Sequence, residues 1–253
     1  MNKILIIPDV HGRTFWKKAI DLIDIVDKVV FLGDYLDPYP HENISKVQAI
    51  NNFKEILKFK SDNFDKVVLL IGNHDIHYWP YFKSDWGCRR DDKNFDEISK
   101  LFLDNLSWFK ISYLYNKYLF SHAGVTNEWL KTINDELPQG TMLYSEITES
   151  EPLKVSIETL DSLLNSEHGL ETLFMVSRER GGSWKWGSCL WADICEHDMF
   201  VPEIPNIYQI FGHTMTYPDI YKAFIAPSCA MLDSQHCYML DVETGNFIEE
   251  END

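Results

Sequence analysis

The chain has 253 residues, 45% of them hydrophobic and 25% charged, the composition of a folded globular protein long enough to bury a large core. Its 23 Lys and Arg face 40 Asp and Glu, a formal net charge of −17 that repels polyanions over the surface as a whole. An extended nucleic-acid-binding face is disfavoured, because it needs Lys and Arg to displace counterions, although bound metal ions can reverse the local charge within one cleft. The five cysteines, Cys88, Cys189, Cys195, Cys229 and Cys237, are odd in number and lack C-x-x-C spacing, so reduced thiols in a cytoplasmic protein are expected. The apolar start is interrupted by Pro8 and Asp9, too early for a signal-peptide core, and no later run suits a membrane span.

In chain order, residues 3–7, 28–32 and 66–71 are short Ile, Val and Leu runs that read as buried strands. Between the first two, Phe15, Trp16, Ala19, Ile20, Ile23 and Val26 recur at helical spacing, with Thr14 as a candidate cap. Between the second and third, Ile44, Val47, Ile50, Phe53 and Leu57 do the same. Strand, helix, strand, helix, strand implies parallel pairing with right-handed crossovers and a ligand site outside the carboxyl ends of the strands. Beyond residue 100, segments 113–115, 118–121, 208–211, 230–233 and 238–241 are β-like and predict a second sheet. Residues 126–205 lie between two of these strands and carry a helical pattern at Val155, Leu160, Leu163 and Leu164, so they read as a helical insertion covering the cleft of a single domain spanning 1–253. The acidic end, 249–253, reads as solvated.

The chemistry-bearing residues gather where predicted strands end. Asp9-Val10-His11-Gly12 follows the first strand, Gly33-Asp34-Tyr35-Leu36-Asp37 the second and Gly72-Asn73-His74-Asp75 the third. Ser121-His122-Ala123-Gly124 and Gly212-His213-Thr214 follow two later β segments. A lone Asp or Asn after a strand is ordinarily a turn residue. Five such sites in one chain point instead to a shared centre, and carboxylate, imidazole and amide donors suit first-row divalent metals.

These motifs, D-x-H, G-D-x-x-D, G-N-H-[DE], a later His and a final G-H, resemble in order and content those of the calcineurin-like metallophosphoesterases. The resemblance implies an α/β fold, a four-layer αββα sandwich of two mixed β-sheets flanked by helices. It implies two divalent metal ions, manganese first with iron or zinc as alternatives: Asp9 and His11 on one, Asn73, His122 and His213 on the other, Asp34 bridging. Met215 stands where many members have a further metal-binding His, and Pro38 and Tyr39 stand where the eukaryotic-type phosphatases have a phosphate-binding Arg. The missing second His, with Leu190-Trp191-Ala192-Asp193 and Leu232-Asp233-Ser234, resembles the phosphoprotein phosphatase and symmetrical diadenosine tetraphosphatase branch, from which Pro38 and Tyr39 are a departure.

Two ions about 4 Å apart would activate a bridging water for in-line attack on phosphorus. His74 would protonate the leaving oxygen and Asp37 would fix its tautomer. Cations for the phosphoryl oxygens are sought among Arg180, Arg89, Arg178 and Arg90, in that preference for the first two, each also able to form an ordinary surface ion pair with Asp91, Asp92 or Glu179. Cys195, His197, His236 and Cys237 match no structural zinc spacing, and Trp184, Trp186 and Trp191 read as packing aromatics before base-stacking ones. The expected activity is that of a phosphomonoesterase or phosphoprotein phosphatase acting on a phosphorylated small molecule, nucleotide or phosphoprotein. A dinucleoside polyphosphate hydrolase is the alternative, a nuclease or a non-catalytic scaffold less so, and neither a membrane nor an extended nucleic acid is an expected partner.

Overall fold

The computed structural model describes residues 2–136 apart from 83 and 85, 159–215 and 222–250, with the side chains of 134–136 excepted. The strands in chain order are β1 (Lys3–Ile7), β2 (Lys28–Phe31), β3 (Val67–Leu70), β4 (Phe109–Lys110), β5 (Ser112–Tyr115), β6 (Tyr118–Ser121), β7 (Tyr208–Phe211), β8 (Phe224–Ile225), β9 (Cys229–Met231), β10 (Cys237–Asp241) and β11 (Phe247–Glu250). The α-helices include α1 (Lys18–Leu22), α2 (Lys46–Asp62), α3 (Phe95–Asp104), α4 (Asn127–Glu136) and α5 (Glu167–Leu173), and residues 159–162 are also helical. Contacts divide the chain into two compact units, Met1–Lys110 with Asp233–Asp253, and Ile111–Leu232.

The first unit holds a six-stranded mixed sheet in the order β11-β10-β1-β2-β3-β4. β1 to β4 are parallel and β10 and β11 antiparallel. Every residue of β3 is buried, as are all but the first of β1 and β2, which is why these strands read as unbroken apolar runs with no alternation. α2 starts at Ser45, whose hydroxyl accepts the Gln48 N–H while the Gln48 side chain reaches back to the Ser45 N–H, a reciprocal cap. Its Ile50, Phe53, Ile56 and Leu57 are buried on one face. Phe53 stacks on Tyr35 at 5.1 Å and meets Phe102 of α3 at 5.0 Å, and Phe102 meets Phe109 at 5.0 Å.

Several expectations need correction. The segment after β1 is not one capped helix but a run of short turns around α1, and Thr14 makes no side-chain cap because its backbone (φ −107°, ψ 2°) is outside the extended conformation an N-cap adopts. Ile20 and Val47 face solvent. Residues 238–241 belong to the first sheet, not the second, since β10 covers the otherwise open edge of β1. Of the acidic end, Glu249 is exposed as expected, although it and Glu250 form part of β11, the outer strand, where charged side chains discourage further strand addition; residues 251–253 lie outside the described residues.

The second unit carries a five-stranded mixed sheet, β5-β6-β7-β9-β8, in which β6, β7 and β9 run parallel and β5 and β8 antiparallel. Much of segment 126–205 is packed in its core, including Trp129, Leu130, Leu160, Leu173, Leu190 and Trp191. Residues 137–158, with the Val155 end of the expected helical pattern, lie outside the described residues. All five cysteines are free thiols, and among the described residues no helix is long and apolar enough to cross a membrane.

Replacing Phe53 by Ala removes the ring that joins α2 to both Tyr35 and α3, at a cost of about 3–5 kcal/mol, or a fall in Tm of roughly 10 °C, readable by calorimetry. A second outcome concerns acid. His77 is wholly buried in the turn Asp75–Tyr78, its Nδ1–H donating to the Ser84 carbonyl at 2.8 Å. Burial lowers its pKa to about 4, with the Ser84 bond opposing. The unfolded chain, in which this imidazole titrates near its ordinary 6.5, therefore binds more protons between those values. Stability present above pH 6.5 is lost as the pH falls towards 4, by on the order of 3 kcal/mol from this group. Thermal unfolding across that window should fall less steeply in a His77→Gln variant; equal slopes would place the acid sensitivity elsewhere.

Candidate metal centre

Because β1, β2 and β3 are parallel, their carboxyl ends bring the loops 9–12, 33–37 and 72–75 to one edge of the first sheet. Asp9, His11, Asp34, Asp37, Asn73 and His74 are all buried there. Three of them hold left-handed backbone: His11 (φ 45°), Asp34 (φ 54°) and Asp37 (φ 59°). Such conformations cost on the order of 1–2 kcal/mol each for a side chain with a Cβ, and they collect where the surroundings force them. Here the first loop is laced to the second, His11 N–H to the Asp34 carbonyl at 2.6 Å and Gly12 N–H to the Tyr35 carbonyl at 3.0 Å. Gly33 and Gly72 are glycines of necessity: a Cβ on Gly33 would overlap the Gly72 backbone, and one on Gly72 would overlap the Asp34 carboxylate.

Asp75 had no role in the sequence reading, yet it is the residue that joins these loops. Its carboxylate, with no exposed surface, accepts the N–H of Asp34 at 2.7 Å, of Tyr35 at 3.0 Å and of Gly72 at 2.9 Å. Burial, and then the nearby Asp34 charge, push its carboxyl well above the usual range, while the three N–H donors pull the other way. Tyr35 anchors the same loop from below, its hydroxyl donating to the Leu70 carbonyl at 2.8 Å. The signal in the sequence is the acidic position that closes the G-N-H-[DE] motif, Asp75, to which the sequence alone attaches no role.

The donor geometry at His11 calls for a cation. Its Nδ1 lies 2.9 Å from the Leu36 carbonyl, and a carbonyl only accepts, so Nδ1 carries the proton and Nε2 presents a lone pair. That lone pair faces a carboxylate oxygen of Asp34 at 3.4 Å. Burial lowers the His11 pKa to about 3 against the opposing pull of Asp34, so the ring is neutral near pH 7 and the two acceptors confront each other. These are residues that could hold a divalent ion, whose charge would relieve the conflict. Ligand atoms of His11, Asp34 and His74 lie within 4.8 Å of one another, and Asp9 brings an oxygen within the same distance of Asp34.

Beside these groups His74 Nδ1 lies 3.0 Å from Asp37 Oδ2, the pairing expected of the two. Burial raises the Asp37 pKa, but bonds and charge from His74 and a bond from Tyr78 outweigh it and hold the carboxyl below its ordinary value. Of the arginines, Arg89 donates two N–H groups to the Asp37 carbonyl, at 2.8 and 3.2 Å, and lies 3.9 Å over the Tyr39 ring. Arg90 turns away to an ion pair with Asp92 at 2.8 Å.

In the second unit, parallel pairing of β6 and β7 sets their carboxyl ends together. His122 follows β6 and is buried, and its Nε2 lies 3.1 Å from Nδ1 of His213, which follows β7 with φ 67°. The Gly212 N–H donates to the His122 carbonyl at 2.8 Å, and both ends of the buried Gln209 amide bond to the Val125 backbone at 2.8 Å. Arg180 is bonded to the hydroxyl of Thr214, next to His213, and paired with Asp193 at 2.8 Å, whereas Arg178 is exposed. His197 stacks on Phe211 at 4.8 Å, Trp191 is buried at 6.0 Å from the His213 ring, and Trp184 is partly exposed.

Asp75→Asn would turn an NH₂ group towards N–H donors. Loosening of the Asp34 loop should weaken divalent-metal affinity about 10- to 100-fold, measured by competition with a chelating dye. Unchanged affinity would mean the loops hold without this carboxylate.

No curated protein matches the chain. Among solved structures, a protein serine/threonine phosphatase from Saccharomyces cerevisiae with similarity to human phosphatase PP5 superposes with a TM-score of 0.47 and 12% identity, covering 98% of this chain and 79% of that one. A metallophosphoesterase from Sphaerobacter thermophilus gives a TM-score of 0.40 and 14% identity over 99% of this chain and 89% of its own. The family model for calcineurin-like phosphoesterases matches residues 2–217, and the chain belongs to that family.

Proposed function

We propose that this protein hydrolyses phosphate monoesters, carried by a small molecule or a phosphoprotein, with divalent metal ions, manganese foremost, as cofactors. The proposed metal ligands are Asp9, His11, Asp34, Asn73, His122 and His213. The observation that carries the reading is the opposed pair of acceptors at His11 Nε2 and Asp34 Oδ2, 3.4 Å apart at the same strand ends as the His74–Asp37 pair. When bound, such ions supply Lewis-acid neutralisation of phosphoryl charge.

The chain's own residues do the remainder. His74, with Nδ1–H committed to Asp37, exposes Nε2 as the atom that delivers a proton to the departing oxygen. Asp37 keeps that tautomer and stabilises the charged ring. Arg180 and Arg89 are the cations proposed for the phosphoryl oxygens. Arg180 is held by Asp193 and Thr214, and Arg89 by the Asp37 carbonyl and the Tyr39 face, so each is oriented before substrate arrives. The net charge of −17 favours compact phosphorylated substrates over long polyanions.

Manganese-loaded protein should turn over a generic aryl phosphate, and His74→Asn should keep its metal while losing about 10²- to 10⁴-fold in kcat on a poor leaving group. No turnover with any divalent metal sinks the proposal. Release of nucleoside diphosphates from diadenosine tetraphosphate, without phosphomonoesterase activity, would reassign it to dinucleoside polyphosphates.

A further inference from the structure

We infer that Tyr78 is a positioning residue of the acid–base pair: its phenol aims the Asp37 carboxylate, and through it the His74 imidazole. This rests on the reading of His74 as the proton donor given above.

The direction of each proton in this chain of groups is settled by what each atom is able to do. The backbone N–H of Asp91 lies 2.6 Å from the Tyr78 oxygen, and an amide N–H only donates, so the phenol oxygen accepts there. The phenol's single proton is then left for Asp37 Oδ1, also 2.6 Å away. Asp37 Oδ2 in turn accepts from Nδ1–H of His74 at 3.0 Å. The order Asp91 N–H, Tyr78 O–H, Asp37 carboxylate, His74 Nδ1–H has no alternative while the carboxylate is ionised. Both carboxylate oxygens are committed to different donors, so the group is unable to rotate about its last bond without breaking one of them.

The backbone of the same residue is held independently. Asp37 adopts φ 59°, and its carbonyl takes two N–H groups from Arg89. Tyr78 sits at the end of the short turn Asp75–Tyr78, which His74 opens as its N-cap, so the imidazole and the support of its partner belong to one rigid piece of chain. The ring of Tyr78 is fully buried, 6.0 Å from that of Phe95, so the phenol acts on the reaction indirectly, and Asp37 is the group it donates to.

The test compares two phosphate monoesters on manganese-loaded protein. 2,4-Dinitrophenyl phosphate has a leaving group that departs without a proton, whereas a simple alkyl phosphate needs one. Tyr78→Phe keeps the ring and removes the O–H. It should lower kcat on the alkyl ester by about tenfold, leave KM unmoved, and change kcat on the dinitrophenyl ester by less than about twofold. The ratio of the two rates, taken on one preparation, is independent of the fraction folded. In an Asp37→Asn background the same substitution should leave that ratio unaltered, because its effect passes through the carboxylate. Equal losses on both esters, no loss on either, or an undiminished effect in the double variant would each overturn the inference. His74→Asn, run in parallel, separates the two readings. If it fails to alter the ratio, the proton-donor assignment falls; if it alters the ratio and Tyr78→Phe does not, only the role of Tyr78 falls.

Discussion

The buried Asp75 carboxylate is the interaction on which the first unit's site depends. Three loops carry the metal-capable groups there, and two of them are fastened to each other through this one side chain, which gathers N–H groups from Asp34, Tyr35 and Gly72. A buried carboxylate without donors would be costly, and so would three unsatisfied N–H groups on the two loops. Each cancels the other, and the geometry that results delivers Asp34 in a left-handed conformation that it would not adopt in a free loop. The hydrogen bond from His74 N–H to Asp34 Oδ1 at 2.9 Å extends the same lattice to the imidazole.

The aromatic core stands directly beneath. Tyr35 is at once the residue after Asp34, a donor to the Leu70 carbonyl and the ring stacked on Phe53 of α2. The apolar packing that stabilises the sheet therefore also fixes the register of the site. Function and stability are not assigned to separate residues in this part of the chain.

Much of this was legible in the sequence because it is local. The strands 3–7, 118–121 and 208–211 coincide with β1, β6 and β7, and the parallel order of β1 to β3 followed from the helices between them. The residues at strand ends stood out because Gly, Asp, Asn and His cluster there against an apolar background. What sequence alone left hidden is nonlocal. β4 and β8, at two residues each, carry no periodic signal, and the pairing of β10 with β1 joins positions more than two hundred residues apart. The partners of Asp75 are backbone N–H groups, and Tyr78 takes one from Asp91 while its own proton goes to Asp37, forty-one residues away, contacts that no pattern of side chains announces. The arginines differ for the same reason: Arg90 has an acid two residues away, whereas the partner of Arg180 is Asp193.

The pairing of Ile4 with Leu240 has a consequence for how the molecule comes into being. The second unit is one continuous stretch, Ile111–Leu232, while the first is assembled from both termini of the chain. A ribosome therefore finishes the whole of the second unit before the strand that covers the edge of β1 has been made. Until then β1 has an open edge and an Ile-rich surface, so nascent chains are exposed to wrong strand pairing throughout the synthesis of the second unit, and the arrival of β10 ends that interval.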